Sequence, residues 1–234
     1  MSLLTNPCPT GVVIDGKSYQ INSDFRVMIQ LDEILMDPNS THEQEAFAQE
    51  VLEASNHEVD IDTARVMSKY NDGLSLFYKE IPDDLLVAMD KMIWFFQCGK
   101  TEEQKKSEKG KKAEQIYSFT YDADYIYAAF MGQYGIDLNA ENLHWWKFYA
   151  MFVGLNEDCL MSKIMGYRGA DTSGMEATDK KFYEKMKRIY VLPRHVDETK
   201  RAMQEEIDDA IRNGRDVAEV VKKWSGESSQ EVDS

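Results

Sequence analysis

Cysteine, histidine and proline are all scarce: the 234 residues hold 3 Cys, 4 His and 5 Pro. Cys8, Cys98 and Cys159 are odd in number, unrelated in spacing and free of any C-x-x-C pair, which excludes a disulfide framework or a cysteine zinc site and fits a reducing compartment. No G-x-x-x-x-G-K-[ST], G-x-G-x-x-G, G-x-S-x-G or H-E-x-x-H occurs, so the common phosphate cradles, the nucleophile elbow and the zincin helix are missing. No apolar run approaches the roughly 18 residues of a membrane span, and the N-terminus lacks the basic and apolar regions of a signal peptide. Positive charge is also in deficit. A formal net charge of -15 argues against general affinity for nucleic acid or an anionic membrane, since both require a basic surface. The expected setting is a reducing cytoplasm.

What is present suffices for a packed core. Hydrophobic residues make up 43% of the chain and aromatics 11%, well above a disordered composition. Val12, Val13 and Ile14, then Asp15-Gly16, then Tyr19 and Ile21 predict a small β-hairpin, because Asp-Gly tolerates the positive φ of a two-residue turn. Helical periodicity follows. Ser23 is the expected cap of a helix carrying Phe25, Met28, Ile29 and Leu35; Ser40 and Glu43 form a capping box ahead of Phe47, Val51 and Leu52. Asp62 or Thr63 opens a short helix to Tyr70, and Pro82 sits in the first turn of one that ends at Gly99. Asp122 caps a helix to Tyr134 that Gly135 stops, and Asn139 caps the next, which carries Trp145, Trp146, Tyr149 and Phe152. Further helices are expected at 178–190, 196–212 and 216–224.

The fold class so predicted is mainly α, with helical bundle-like lobes and a small N-terminal hairpin. Residues 1–98 form the hairpin and first helices, 99–115 a charged flexible linker, 116–193 an aromatic-rich helical core, 194–224 charged helices and 225–234 a disordered tail.

Few residues invite a chemical role. Glu141 and His144 form an E-x-x-H pair that a helix would place on one face, but a carboxylate-bridged metal site needs a second such pair as well as two further glutamates on facing helices, and no second pair is present. Asp83-Asp84 and Asp122 with Asp124 read better as helix-start acids than as general acids, bases or magnesium ligands. The chain reads as a protein that binds other proteins, neither an enzyme nor a carrier of metal or cofactor.

Its informative segment is Tyr117 to Arg168. A helix with Leu143, Trp146, Ala150 and Val153 along one side and Trp145, Tyr149 and Phe152 along another cannot satisfy all of them against one layer. It is either central in a bundle or shared with a partner. On the second reading the contact surface uses Trp145, Trp146, Tyr149 and Phe152, with Tyr134 nearby and His144 and Lys147 at its rim, since Trp and Tyr are favoured interface anchors.

The same residues carry a resemblance. Tyr117-Ser118-Phe119 with Asp122, Ile126 through Phe130, Tyr134-Gly135-Ile136-Asp137-Leu138, Leu143-His144-Trp145-Trp146-Lys147-Phe148, Gly154-Leu155 and Ile164-Met165-Gly166-Tyr167-Arg168 resemble the tail-gene products numbered fifteen of siphoviruses of Gram-positive bacteria. The likeness spans most of Gly11 to Pro193. It implies a tail assembly chaperone that binds the tape measure protein, keeps it soluble and helps recruit tail tube subunits, with the tail tube protein and the chain itself as further partners. A structural tail component retained in the virion is the alternative.

Overall fold

A computed structural model describes residues 3–37, 40–55, 58–100 and 115–193, and residues 206, 207, 209, 210, 212, 217 and 218. β1 (Gly11–Ile14) and β2 (Lys17–Gln20) pair antiparallel, Val12 opposite Tyr19 and Ile14 opposite Lys17. Asp15 and Gly16 hold the positive φ values, 49° and 79°, that the two-residue turn requires. Strand alternation turns Val12, Ile14 and Tyr19 inward and leaves Val13 outside.

α1 (Phe25–Met36) buries Phe25, Met28 and Leu31. Its start is set by Asp24 and not by Ser23: the Asp24 carboxylate accepts the Arg26 N–H at 2.9 Å, while the Ser23 carbonyl accepts the N–H of Trp145. α2 (His42–Ala54) lies on α3 (Ile61–Phe77). Asp60 caps α3, accepting from the Thr63 N–H. The helix continues past Tyr70 because Gly73, Leu74 and Phe77 extend its buried stripe, and Gly73 is where α1 comes closest: a Cβ there would meet Leu31 Cδ1 at 2.8 Å.

α4 (Leu85–Phe96) is capped by Asp84, so Pro82 precedes the helix instead of sitting in its first turn. Its inward stripe is Ala88, Met92 and Phe95; Leu85 and Leu86 are exposed. α5 (Ala123–Tyr134) ends at Gly135 in the left-handed region, φ 66°, as its sequence predicts. α6 (Trp145–Val153) is shorter than expected, capped by His144 and not Asn139. α7 (Leu160–Gly169) is capped by the Cys159 thiol, and α8 (Ala177–Ile189) packs on α7. The chain is mainly α with one two-stranded hairpin.

Two lobes separated at the 99–115 stretch do not form. Met1–Met36 and His42–Pro193 make one unit, and its core runs without a break from Phe77 and Phe95 to Phe119, Phe148 and Phe152. The cause is α6, whose aromatic residues point in all directions and draw on neighbours from both halves of the chain. Asp37–Thr41 and Arg194–Ser234 form a second unit. Its described residues have helical backbone at 206, 207, 209, 210, 212, 217 and 218. Most of the expected linker, most of the expected 196–212 and 216–224 helices and all of the 225–234 tail lie outside the described residues.

The carboxylate of Asp122 does not cap α5. It is buried, and Arg168 holds it in a two-pronged ion pair, Nη1 to Oδ2 at 2.6 Å and Nη2 to Oδ1 at 2.9 Å. The same guanidinium donates to the carbonyls of Ile116 and Tyr190, so one side chain pins the approach to α5, the end of α7 and the end of α8. Removing one partner of such a pair strands a buried charge. Arg168→Met is expected to lower unfolding stability by about 3–5 kcal/mol in urea titration, and the double variant Asp122→Asn with Arg168→Met by clearly less.

Candidate functional site

α6 is where the sequence concentrates its aromatic residues, and the structure places it centrally. Phe148 stacks on Phe25 of α1 at 4.6 Å and on Phe130 of α5 at 5.0 Å, so helices from both halves meet on one ring. Trp145 stacks on Phe96 at 5.5 Å, Trp146 meets Trp94 edge-on at 5.5 Å, and Phe152 lies against Tyr117 and Phe119.

Both indoles also carry a polar duty. The last carbonyls of a helix have no partner within it. At the end of α4, Trp146 Nε1–H donates to the Phe95 carbonyl and Trp145 Nε1–H to the Phe96 carbonyl, each at 2.8 Å. Gly99, at φ 69°, lets the chain leave α4 around them: a Cβ there would lie 2.9 Å from Trp146 Cη2.

His144 completes the junction. Its Nδ1 accepts the Trp146 N–H at 3.0 Å and its Nε2 lies 2.9 Å from the Pro9 carbonyl, which defines the neutral ring with the proton on Nε2. Its backbone pairs with Asp24 in an isolated bridge, flanked by Phe25 N–H to Leu143 O and Trp145 N–H to Ser23 O. Four short contacts thus bind the start of α6 to residues 9, 23, 25 and 95.

An open Trp145–Trp146–Tyr149–Phe152 patch is therefore corrected in most of its members. Trp145, Trp146 and Phe152 are 1%, 3% and 2% exposed, because the indole N–H groups and ring faces are all occupied within the chain. Tyr149 is half-buried with Lys100 Nζ 5.7 Å above its ring, and Lys147 is exposed. Tyr134 is half-buried, its hydroxyl donating to the Met151 and Gly154 carbonyls at the end of α6. The E-x-x-H reading fails on geometry: Glu141 precedes the helix and His144 caps it, so the two do not share a helical face. Among the described residues no group of three or more His, Cys, Asp or Glu side chains is placed to hold a metal ion, and no helix is long and apolar enough to cross a membrane. Cys98 follows α4 half-buried, its thiol pushed up to about 12 chiefly by burial, which keeps it protonated and weakly nucleophilic.

Sequence reasoning missed a cleft of about 540 Å³ between α1, α5 and the 138–139 turn. Phe25, Phe119, Ile126 and Phe148 make its floor, and Ile29, Arg26, Asp124, Tyr127 and Asn139 its sides and rim. Arg26 is held there by Asp24 and by the Leu138 and Glu141 carbonyls. The signal that could have found it is the leftover face of α5, Asp124 and Tyr127, beside an Ile126 that points inward.

Residues 4–192 match the family described as Bacteriophage Gp15 protein. The chain belongs to that family. It matches no curated protein and no solved structure. In this phage protein the Leu143–Phe148 string that dominates the sequence resemblance is the joint of the fold.

Two outcomes test the joint. Trp146→Phe removes the indole donor from the Phe95 carbonyl, which keeps the Cys98 N–H at 2.9 Å, and is expected to cost about 0.5–1.5 kcal/mol in urea unfolding, whereas Lys147→Ala, on the exposed side of the same turn, changes stability by less than about 0.5 kcal/mol. Burial first, then the nearby Lys147, holds the His144 imidazole below its ordinary value of 6.5 against the opposing pull of the Pro9 carbonyl. The folded state thus binds fewer protons than the unfolded chain in that range, and stability falls as pH drops through about 6.5. Urea midpoints at about pH 7.5 and pH 5 should show this loss, and His144→Asn, which caps without titrating, should remove much of it.

Proposed function

We propose that this phage protein is a tail assembly chaperone that binds the tape measure protein, keeps it soluble and helps recruit tail tube subunits, and that it works by binding and not by catalysis. The observation that carries the reading is the family match over residues 4–192, nearly the whole extent of the first unit. The cleft supports it physically. Its aromatic floor and mixed-charge rim suit the bulky apolar side chains that a long helical polypeptide presents along one stripe. Many copies along one such chain gain from effective concentration even where each contact is weak. The acidic surface keeps a loaded complex in solution.

The indoles and Phe152 serve this reading indirectly, by holding α1 and α5 at the spacing that leaves the cleft open. Tyr149, Lys147, Tyr134 and His144 keep exposed atoms and remain contact candidates.

The test is co-expression with the tape measure protein followed by pull-down and a solubility assay. The wild-type protein should hold its partner in the soluble fraction, and Ile29→Gln with Tyr127→Ala should lower capture about tenfold with an unchanged circular dichroism spectrum, a loss typical of removing an anchoring contact. A tape measure protein equally soluble alone would sink the chaperone reading. So would mass spectrometry finding the protein at fixed stoichiometry in purified virions, which would make it a structural tail component.

A further inference from the structure

α8 is amphipathic in sequence yet buries none of its residues completely. Its apolar stripe is divided. Tyr183 and Tyr190 lean on Tyr167 of α7, at 6.1 and 6.0 Å between ring centroids, Phe182 meets the same ring edge-on at 5.9 Å, and Met186 is half-buried. Phe182 and Ile189, two turns apart on one face, remain 47% and 56% exposed. Alongside them run Lys181, Lys185 and Arg188, all exposed. In a chain of net charge -15, α8 carries five basic residues against two acidic ones.

α2 is its opposite. It has Glu43, Glu45, Glu50 and Glu53 and no Lys or Arg. Gln44 and Ala48 face α3, while Glu43, Glu50 and Glu53 are exposed on the outward face, interleaved with the small residues Ala46 and Ala54. We infer that α8 of one copy docks on the outward face of α2 of a second copy. Phe182 and Ile189 lie in the shallow grooves that Ala46 and Ala54 leave, and Lys181, Lys185 and Arg188, together on one flank of that stripe, meet the glutamates of α2. Two α8 helices facing each other would oppose lysine to lysine, so the contact is not self-complementary. Each copy offers one α8, packed on α7, and one α2, packed on α3. A head-to-tail contact between different surfaces does not close on itself as a two-fold dimer does, and copies add in series.

Sedimentation of the full chain alone tests this, without the tape measure protein, so its outcome is separate from that of the chaperone reading. At low salt the weight-average mass should rise with concentration beyond a dimer, and at about 0.5 M salt it should fall toward the monomer because exposed charges are screened. The triple variant Lys181→Glu, Lys185→Glu, Arg188→Glu and the triple variant Glu43→Lys, Glu50→Lys, Glu53→Lys should each stay monomeric. Mixed in equal amounts, they should associate again. Phe182→Ala with Ile189→Ala, which leaves the charges alone, should weaken association about tenfold. A monomer at every concentration, a series that stops at the dimer, or charge-reversed variants that assemble as the wild type does would each overturn the proposal. A mixture that stays monomeric while both variants keep wild-type circular dichroism would do the same. Recruitment to phosphatidylserine–phosphatidylcholine vesicles that the α8 variant loses, with no self-association in solution, would assign the helix to a membrane surface instead.

Discussion

Two hydrogen bonds, from the indole N–H groups of Trp145 and Trp146 to the last carbonyls of α4, hold the rest of this structure in register. They couple residues roughly fifty positions apart and bring side-chain donors to the last carbonyls of the helix, at Phe95 beside the Cys98 N–H. Because adjacent residues of α6 reach adjacent residues of α4, the contact fixes both distance and rotation between the two helices. Everything else at the centre follows from that placement. Phe148 falls between Phe25 and Phe130, and the chain can leave α4 only through a glycine, since any larger residue at Gly99 would strike the Trp146 ring.

The most distinctive string of the sequence is accordingly the least available to a partner. An aromatic motif suggests recognition when read as a list of interface-prone residues, and suggests architecture when its polar atoms prove to be already bonded. The distinction is chemical. An interface tryptophan keeps its N–H or its ring face for another molecule, whereas here both are occupied by α4 and its neighbours. What the core leaves outside is a cleft whose floor is the edge of the same aromatic cluster, and the charged outer faces of α2 and α8.

Much of the local structure was legible. Asp15-Gly16 dictates the hairpin through backbone conformations that few other pairs adopt, and Gly135 ends α5 in the left-handed conformation its lack of a side chain permits. Helix starts were less legible, because several residues in a row could serve as caps. Asp24, Asp60 and His144 won over Ser23, Asp62 and Asn139. Asp122 shows the reason: a carboxylate well placed to cap its own helix found a stronger partner in Arg168, forty-six residues away. The cleft was legible only in its α5 side, the leftover Asp124 and Tyr127, since its other walls come from α1 and a turn that no sequence period connects to it.

The sequence by itself determined the helical class, the hairpin, the acidic character and the excess of aromatic surface around residues 145–152, because these depend on side-chain periodicity, turn stereochemistry and charge count, all of which are local. Only the tertiary structure decided where that excess went. A helix with apolar residues on every side has equal reason to seek a partner or its own chain, and the choice rests on whether the chain can bring enough complementary surface and hydrogen-bond acceptors to it from a distance. Here α1, α4 and α5 converge on α6 and supply both, which closes the two halves into one core.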